Sequence, residues 1–354
     1  MDSVRFTVHR KPYTVHPPLP SSLVVQTSFL GDLVLTTPLL ASLADRGPVD
    51  VVTTPAGAPL LANHPAVRAV IVYDKRRADS GLGGLWRLAR RLRAAGYDSA
   101  YMAQGSMRSA ALARLAGVPE VVGFDTSAGK WLYTRRVRYA KDRHHAERLA
   151  SLASPLGEPP AAGSVRPRLY PGETERAAVE ALLRDVPRDG AAYLALAPGS
   201  IWGTKRWPHY AALAKRLAPV YRIIVVGGPD DAALAAEIGA AAGAERIVDA
   251  TGKLSLLASA ALLARCAALV TNDSAPQHLA SAVGTPTLSI FGPTVPEFGF
   301  GPLAPRHRTV GLDGLACRPC DGHGPAVCPL GHWRCMRELE VGHIEEGVHA
   351  LLRP

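Results

Sequence analysis

Leu269-Val270-Thr271-Asn272-Asp273-Ser274-Ala275-Pro276-Gln277-His278, followed by Gly284-Thr285-Pro286-Thr287-Leu288-Ser289-Ile290-Phe291-Gly292-Pro293-Thr294, sets polar groups where two apolar strands end. In open α/β sheets that is where ligands bind. Leu269-Val270 reads as the end of a buried strand, Asn272-Asp273-Ser274 as an N-cap, and Pro276 to Val283 as the helix that follows. A helix N-terminus offers unpaired N–H groups and about half a positive charge, so a phosphate is its natural guest. Taken alone, Asp273 and Ser274 fit a plain helix cap equally well. What favours a ligand site is a second strand end of the same kind in the other half of the chain.

That second strand end is Leu23-Val24-Val25-Gln26-Thr27-Ser28-Phe29-Leu30-Gly31-Asp32, an apolar strand running into a glycine turn and then a helix from about Leu33 to Asp45 that contains Pro38. Asp32 sits at the helix start, where a capping acid is ordinary. In an open α/β sheet, however, a carboxylate at the C-terminal end of a strand points into the crevice where substrates lie, and there it can act as a base.

A third strand end, Leu196-Ala197-Pro198-Gly199-Ser200-Ile201-Trp202-Gly203-Thr204-Lys205-Arg206-Trp207-Pro208, leads into a helix beginning near Pro208. Its glycines let the backbone approach a ligand. Lys205 supplies a mobile charge, and Ser200 and Thr204 supply hydroxyls for phosphate oxygens. It is not a Walker A loop, and no Gly-x-Gly-x-x-Gly follows the first strand, which counts against a nicotinamide or flavin enzyme. Gly227-Gly228-Pro229-Asp230-Asp231 forms a further strand-to-helix turn whose acids either hold a ribose hydroxyl or charge a helix start. Leu254, just before a helix, offers an apolar contact for a base.

The chain has 354 residues, 47% of them hydrophobic, enough for two cores of ordinary domain size. Strands at Leu23–Thr27, Val49–Thr53, Ala69–Val72, Ser99–Ala103 and Val121–Phe124 alternate with helices at Leu33–Asp45, Leu85–Ala95 and Arg108–Ala116. After a linker-like stretch, Ser154 to Ser164, strands at Tyr193–Ala197, Tyr221–Val226, Arg246–Asp249, Ala268–Thr271 and Thr287–Phe291 repeat the pattern. Such alternation implies parallel sheets covered on both faces, and two of them joined by a linker describe a cleft. The first twenty residues are proline-rich and charged, without an apolar h-region, so the chain is expected to stay in the cytoplasm. Leu254 to Val270 is interrupted by Ser255, Ser259 and Arg265 and reads as a buried helix leading into a strand rather than a membrane span.

The net charge of +10 favours acidic partners. Lys75-Arg76-Arg77, the helix Trp86 to Arg93, and Arg135, Arg136, Arg138, Lys141 and Arg143 concentrate it in the first half. Two readings are open: a face resting on an anionic membrane or phosphorylated sugars, or a solvated arginine-rich helix. Nucleic acid is not expected, because aromatics are not interleaved and no binding motif appears. Four of five cysteines cluster as Cys317-x2-Cys320-x7-Cys328-x6-Cys335. In a cytoplasmic chain that favours metal or free thiols over disulfides, with zinc or iron as candidates and His323 and His332 as spare ligands. The second pair is spaced too widely for a standard ribbon. Cys266 reads as core.

Together Gly31-Asp32, Pro198-Gly199-Ser200 with Lys205-Arg206-Trp207-Pro208, Asn272 to His278 and Phe291-Gly292-Pro293-Thr294 resemble the ADP-heptose:lipopolysaccharide heptosyltransferases, glycosyltransferase family 9, closest to the heptosyltransferase II branch, over about residues 22 to 340. The resemblance implies a GT-B fold: two Rossmann-like domains with parallel sheets facing across a cleft. It divides the chain into an extension at 1–20, an acceptor-binding domain at 21–165 and an ADP-sugar-binding domain at 166–354 that carries the cysteine-rich segment 317–335. It implies inverting, metal-independent transfer of L-glycero-D-manno-heptose from ADP-heptose to the lipopolysaccharide inner core, at the cytoplasmic face of the anionic inner membrane. Asp32 is then the general base. Ser200, Thr204, Lys205, Asp231, Leu254, Asp273, Ser274, Ala275 and His278 form the donor site, with Asp230 and Glu237 as other candidates for the ribose-binding acid. A heptosyltransferase-like enzyme acting on a protein or natural product is the alternative, and a non-catalytic assembly subunit the more distant one.

Overall fold

The computed structural model describes residues 19–353; residues 1–18, most of the expected extension, lie outside the described residues, as does Pro354. The first sheet holds β1 (Ser22–Val25), β2 (Val49–Thr53), β3 (Ala69–Val72), β4 (Ser99–Met102), β5 (Glu120–Phe124) and β6 (Arg135–Val137), in the order β3-β2-β1-β4-β5-β6. The second holds β7 (Tyr193–Ala197), β8 (Arg222–Val225), β9 (Ile247–Asp249), β10 (Ala268–Asn272), β11 (Thr287–Ile290) and β12 (His307–Val310), in the order β12-β11-β10-β7-β8-β9. All pairings are parallel, and counted from its own first strand the second sheet repeats the strand order of the first.

Helices α1 (Leu30–Ala44), α2 (Gly81–Ala95), α3 (Met107–Leu115) and α4 (His145–Ser151) accompany the first sheet. Helices α5 (Glu173–Leu183), α6 (Tyr210–Leu217), α7 (Ala232–Ala242), α8 (Leu256–Leu263), α9 (Ala275–Val283), α10 (Arg334–Arg337) and α11 (Val341–Leu352) follow. Central strands such as β1 are buried throughout, as sheets covered on both faces require. Their alternate residues serve different cores: Leu23 and Val25 pack with α2 and α3, whereas Val24 packs with α1. The Val24 core continues through α4, α8 and α9 to Ala195 and Ala197 of β7, so one apolar body joins the two sheets. Each leucine fully buried there contributes roughly 1.5–3 kcal/mol.

Pro38 inside α1 cannot donate to the carbonyl four residues back. Thr37 Oγ1 donates to that Val34 oxygen instead, at 2.8 Å, and in turn accepts the Arg168 amide at 2.9 Å. The same repair therefore fastens the segment that crosses between the sheets. This crossing is longer than Ser154 to Ser164, running without regular structure until α5 begins at Glu173.

Differences from the sequence reading cluster at edges and ends. Helix α1 begins at Leu30, which puts Asp32 inside its first turn. Strands β6 and β12 escaped notice because edge strands need no apolar run: Arg135 and Arg136 lie in one, His307 and Arg308 in the other. Residues 254–270 form α8 leading into β10, as expected, and Cys266 is buried, its thiol pushed up to about 12 by desolvation.

Candidate active site

Each sheet reverses direction at one place, between β1 and β4 in the first and between β7 and β10 in the second. Crevices outside the carboxyl ends of strands open there. The first turn of α1 after β1 and the segments after β7 and β10 carry Asp32, Lys205 and Asp273 into that region.

Asp32 occupies the third position of α1, from which an acid can reach back to the N-cap amide. Its close contact is different: Ser28 Oγ donates to Oδ2 at 2.6 Å, while Oδ1 lies 4.0 Å from His145 Nε2. Burial raises the Asp32 pKa, and the Ser28 hydroxyl, His278, the Phe29 amide and His323 pull partly the other way. A carboxyl whose burial disfavours the charged form, while hydrogen-bond partners favour it, is suited to take up and release a proton.

Two imidazoles flank it, one half-buried and one buried. His145 opens α4, receives no hydrogen bond at Nδ1 and lies against the Phe300 ring with centroids 4.8 Å apart. Desolvation lowers its pKa to about 3. His278 comes from α9 in the other half; desolvation lowers its pKa to about 4, with Asp273 and Asp32 opposing the fall. The halves touch here: a Cβ added at Gly31 would stand 2.6 Å from His278 Cδ2. The start of α4 also docks onto the second half, with the His145 amide donating to Gly299 at 2.7 Å and Arg148 Nη1 to Phe298 at 3.0 Å.

Across from Asp32, Asp273 is fully engaged. Lys205 Nζ donates to Oδ2 at 2.6 Å, Thr294 Oγ1 to the same oxygen at 2.7 Å, and Gln277 Nε2 to Oδ1 at 2.9 Å. Lys205 and Asp273 are both buried. Asn272 ties this strand end to the loop after β7, donating to Pro198 at 2.9 Å and accepting the Trp207 amide at 3.1 Å. Ser274 and Ala275 begin α9, but Ser274 makes no side-chain cap bond and Pro276 brings no N–H, so a plain capping role fails at this helix.

Ser200 lies in the loop after β7, its Oγ accepting the Trp202 amide at 3.3 Å. Asp231 rests on glycine backbone: a Cβ at Gly199 or Gly227 would come within 2.2 or 2.5 Å of its carboxylate, and Oδ2 accepts the Gly228 amide at 2.9 Å. Leu254 packs on the shared core just before α8. Thr204 differs from expectation. It is buried and its hydroxyl donates to the Pro325 carbonyl, so it has no second hydrogen for a phosphate oxygen.

Segment 317–335 covers this loop. Trp333 Nε1 donates to Thr204 at 2.8 Å, and a Cβ on Gly324 would lie 3.2 Å from Lys205 Cε. Its His323 ring reaches Phe29 beside Asp32, with centroids 5.9 Å apart. Of metal and free thiols, the two readings open for the cysteine cluster, a four-thiolate metal site does not assemble. All cysteines are free, and among the described residues no three His, Cys, Asp or Glu side chains converge on a metal-sized point. Cys335 faces the apolar core under α10, while Cys320 is exposed and donates to the Cys317 carbonyl. Burial, aided by neighbouring cysteines, raises the thiols of Cys320 and Cys335, the latter to about 11. Burial also opposes the Cys328 thiolate, but the amides of residues 330–333 outweigh it and lower that pKa.

The basic face is smaller than the sequence suggested. Leu88 and Leu92 of α2 are buried, leaving Leu82, Trp86 and the arginines outside. Arg135 binds the Leu152 and Ser154 carbonyls, and Arg143 pairs with buried Glu147. Among the described residues no helix is long and apolar enough to cross a membrane.

Two Rossmann-like halves with one strand order, touching where Gly31 meets His278, define the GT-B class of glycosyltransferase. A profile of glycosyltransferase family 9 (heptosyltransferase) matches residues 85–329. Lipopolysaccharide heptosyltransferase 1 of Pseudomonas aeruginosa is 34% identical over 316 residues, covering 84% of this chain and 85% of that protein. Lipopolysaccharide heptosyltransferase 2 of Escherichia coli K12 is 29% identical over 318 residues, covering 82% and 87%. The solved structure of E. coli ADP-heptose LPS heptosyltransferase II superposes with a TM-score of 0.77 at 26% identity, over 94% of this chain and 98% of that one. The chain belongs to glycosyltransferase family 9 and is a glycosyltransferase.

The sequence reading gave no role to Ser28, Gln277, Thr294 or His145. Gln277 and Thr294 lie inside the Asn272–His278 and Phe291–Thr294 motifs, where their fixed spacing from Asp273 is a usable signal. His145 lay in a charged tract with no motif at all.

Proposed function

We propose that the chain transfers L-glycero-D-manno-heptose from ADP-heptose to the lipopolysaccharide inner core, inverting the anomeric carbon without an essential divalent metal. The acceptor hydroxyl attacks the anomeric carbon as the bond to the ADP oxygen breaks and its electron pair leaves with ADP. Asp32 takes the hydroxyl proton. Lys205, Ser200, Ser274, the Ala275 amide and His278 receive the diphosphate and sugar, with Asp231 at the ribose and Leu254 near the base. An ammonium held by Asp273 beside the start of α9 supplies the charge that a metal supplies elsewhere. The names of the relatives support donor and acceptor: the two from P. aeruginosa and E. coli K12 are named lipopolysaccharide heptosyltransferases, and the solved one is named for ADP-heptose. Residues 21–165 would bind the acceptor and 166–354 the ADP-sugar, at the cytoplasmic face of the inner membrane, with the exposed arginines and Trp86 of α2 toward anionic lipid.

The observation that carries this reading is the Asp32 carboxylate, its pKa raised by burial, beside the His278-bearing start of α9. Asp32→Asn should leave ADP binding intact by calorimetry and abolish transfer; wild-type turnover would remove Asp32 from the reaction. Mass spectrometry of core oligosaccharide from cells lacking the gene tests the acceptor, and a full-length core would reject it.

A further inference from the structure

Ser28 Oγ stands between two acceptors, 2.6 Å from Asp32 Oδ2 and 2.7 Å from Gln26 Oε1, yet a hydroxyl carries one hydrogen. The orientation of Gln26 is fixed by partners of unambiguous type. Its Oε1 receives the Ser28 backbone N–H at 3.2 Å, which only donates, and its Nε2 reaches the Ala103 carbonyl at 3.4 Å, which only accepts. Thr36 Oγ1, 3.2 Å from Nε2, gives its own hydrogen to the Asp32 carbonyl at 2.7 Å, so it too must accept from Gln26. Gln26 is buried and cannot turn its oxygen to water. With Asp32 ionised, two acceptors therefore compete for one hydrogen. With Asp32 protonated the conflict vanishes: Oδ2–H donates to Ser28 Oγ, and Ser28 turns its hydrogen to Gln26.

We infer that Ser28 and Gln26 form a proton-compensating pair that holds the base in place through both protonation states of the transfer. The inference rests on the reading of Asp32 as the base. As the acceptor oxygen bonds to the anomeric carbon, its O–H bond breaks and the proton passes to Asp32. Ser28 answers by rotating its hydroxyl hydrogen from Asp32 to Gln26, with no bond broken at either residue. Loss of the proton to water after ADP departs reverses the rotation. Ser28 and Gln26 are positioning residues, acting through Asp32. The other groups facing Asp32 are the imidazoles of His145 on α4, His278 on α9 and His323 on the cysteine-rich segment, with the Phe29 amide. Their contribution is common to every variant compared below.

The test is a ¹³C-carboxyl NMR titration of Asp32 in the full chain, assigned with Asp32→Asn, alongside pH–rate profiles. Ser28→Ala removes the donor to the charged form and should move the Asp32 titration up by about one pH unit, as expected for one hydrogen bond to a charged group. Gln26→Met leaves Ser28 with a single acceptor and should move it down. Ser28→Thr should restore the wild-type position. ADP binding should not change in any of them. Shifts in the same direction, or no shift in either, overturn the pair. If Gln26→Met does not fold, Ser28 decides alone: Thr at the wild-type position with Ala raised supports the inference, and equal shifts for both reject it. Wild-type turnover in Asp32→Asn would instead reject the base, a separate failure, because the titration needs no turnover.

Discussion

Asp32 and Asp273 each follow a central strand at the crevice of their own half, yet they are held by opposite means. Three donors from three elements converge on Asp273, including the ammonium of a buried lysine. Asp32 has one short hydrogen bond, from a hydroxyl that another acceptor also claims. Dense donation holds a carboxylate in one orientation. Sparse donation under partial burial leaves a carboxyl able to gain and lose a proton. The difference teaches that an anchoring acid and a reacting acid can share a position in a fold and be told apart by their donors.

The comparison can be broken by exchanging those environments. Asp32→Asn should lower turnover by at least the roughly 10²- to 10⁴-fold that a positioned base provides, without lowering the melting temperature. Asp273→Ala should strike the fold as well as the reaction, destabilising it by about 3–5 kcal/mol in a denaturant melt because it strands the Lys205 ammonium in a buried site. A melt unchanged from wild type would show that Lys205 is free to leave. Gly31→Ala would force a methyl against His278 and should cost about 1–3 kcal/mol while raising KM for both substrates. Trp333→Ala, which removes the indole bond to the Thr204 carbonyl, should raise the KM for ADP-heptose severalfold and spare that for acceptor.

The smallest effect concerns acid. His145 and His278 titrate at about 3 and about 4 in the fold, below the ordinary 6.5. Between those values the unfolded chain binds protons that the native one refuses, so stability rises with pH there and falls on acidification from about 6.5 to about 4. His278→Gln should lower the slope of unfolding free energy against pH by about one proton across that window. An unchanged slope would mean that His278 is protonated in the native state.

Much of this was legible in the sequence. The runs before Gln26, Pro198 and Asp273 are apolar and end in glycine, proline and short polar residues, which is enough to place strand ends and the crevice beside them. The hydrogen-bond economy of the site was not legible. That Thr204 would turn to Pro325, and Thr294 to Asp273, depends on how segments more than twenty residues away pass over the loop. Nor does the spacing of Cys317, Cys320, Cys328 and Cys335 say which sulfurs converge, because α10 carries Cys335 into an apolar core. Strands β6 and β12 were hidden by charge for the same reason that they are tolerated: one of their edges faces solvent.

Gly31 stands against the His278 ring with no room for a methyl group. The spacing between the base-bearing helix and its counterpart in the other half is thus set by one absent carbon. A bulkier residue there would widen the gap that nucleophile and sugar must span, and a proton donor and its target that react at about 3 Å tolerate little widening.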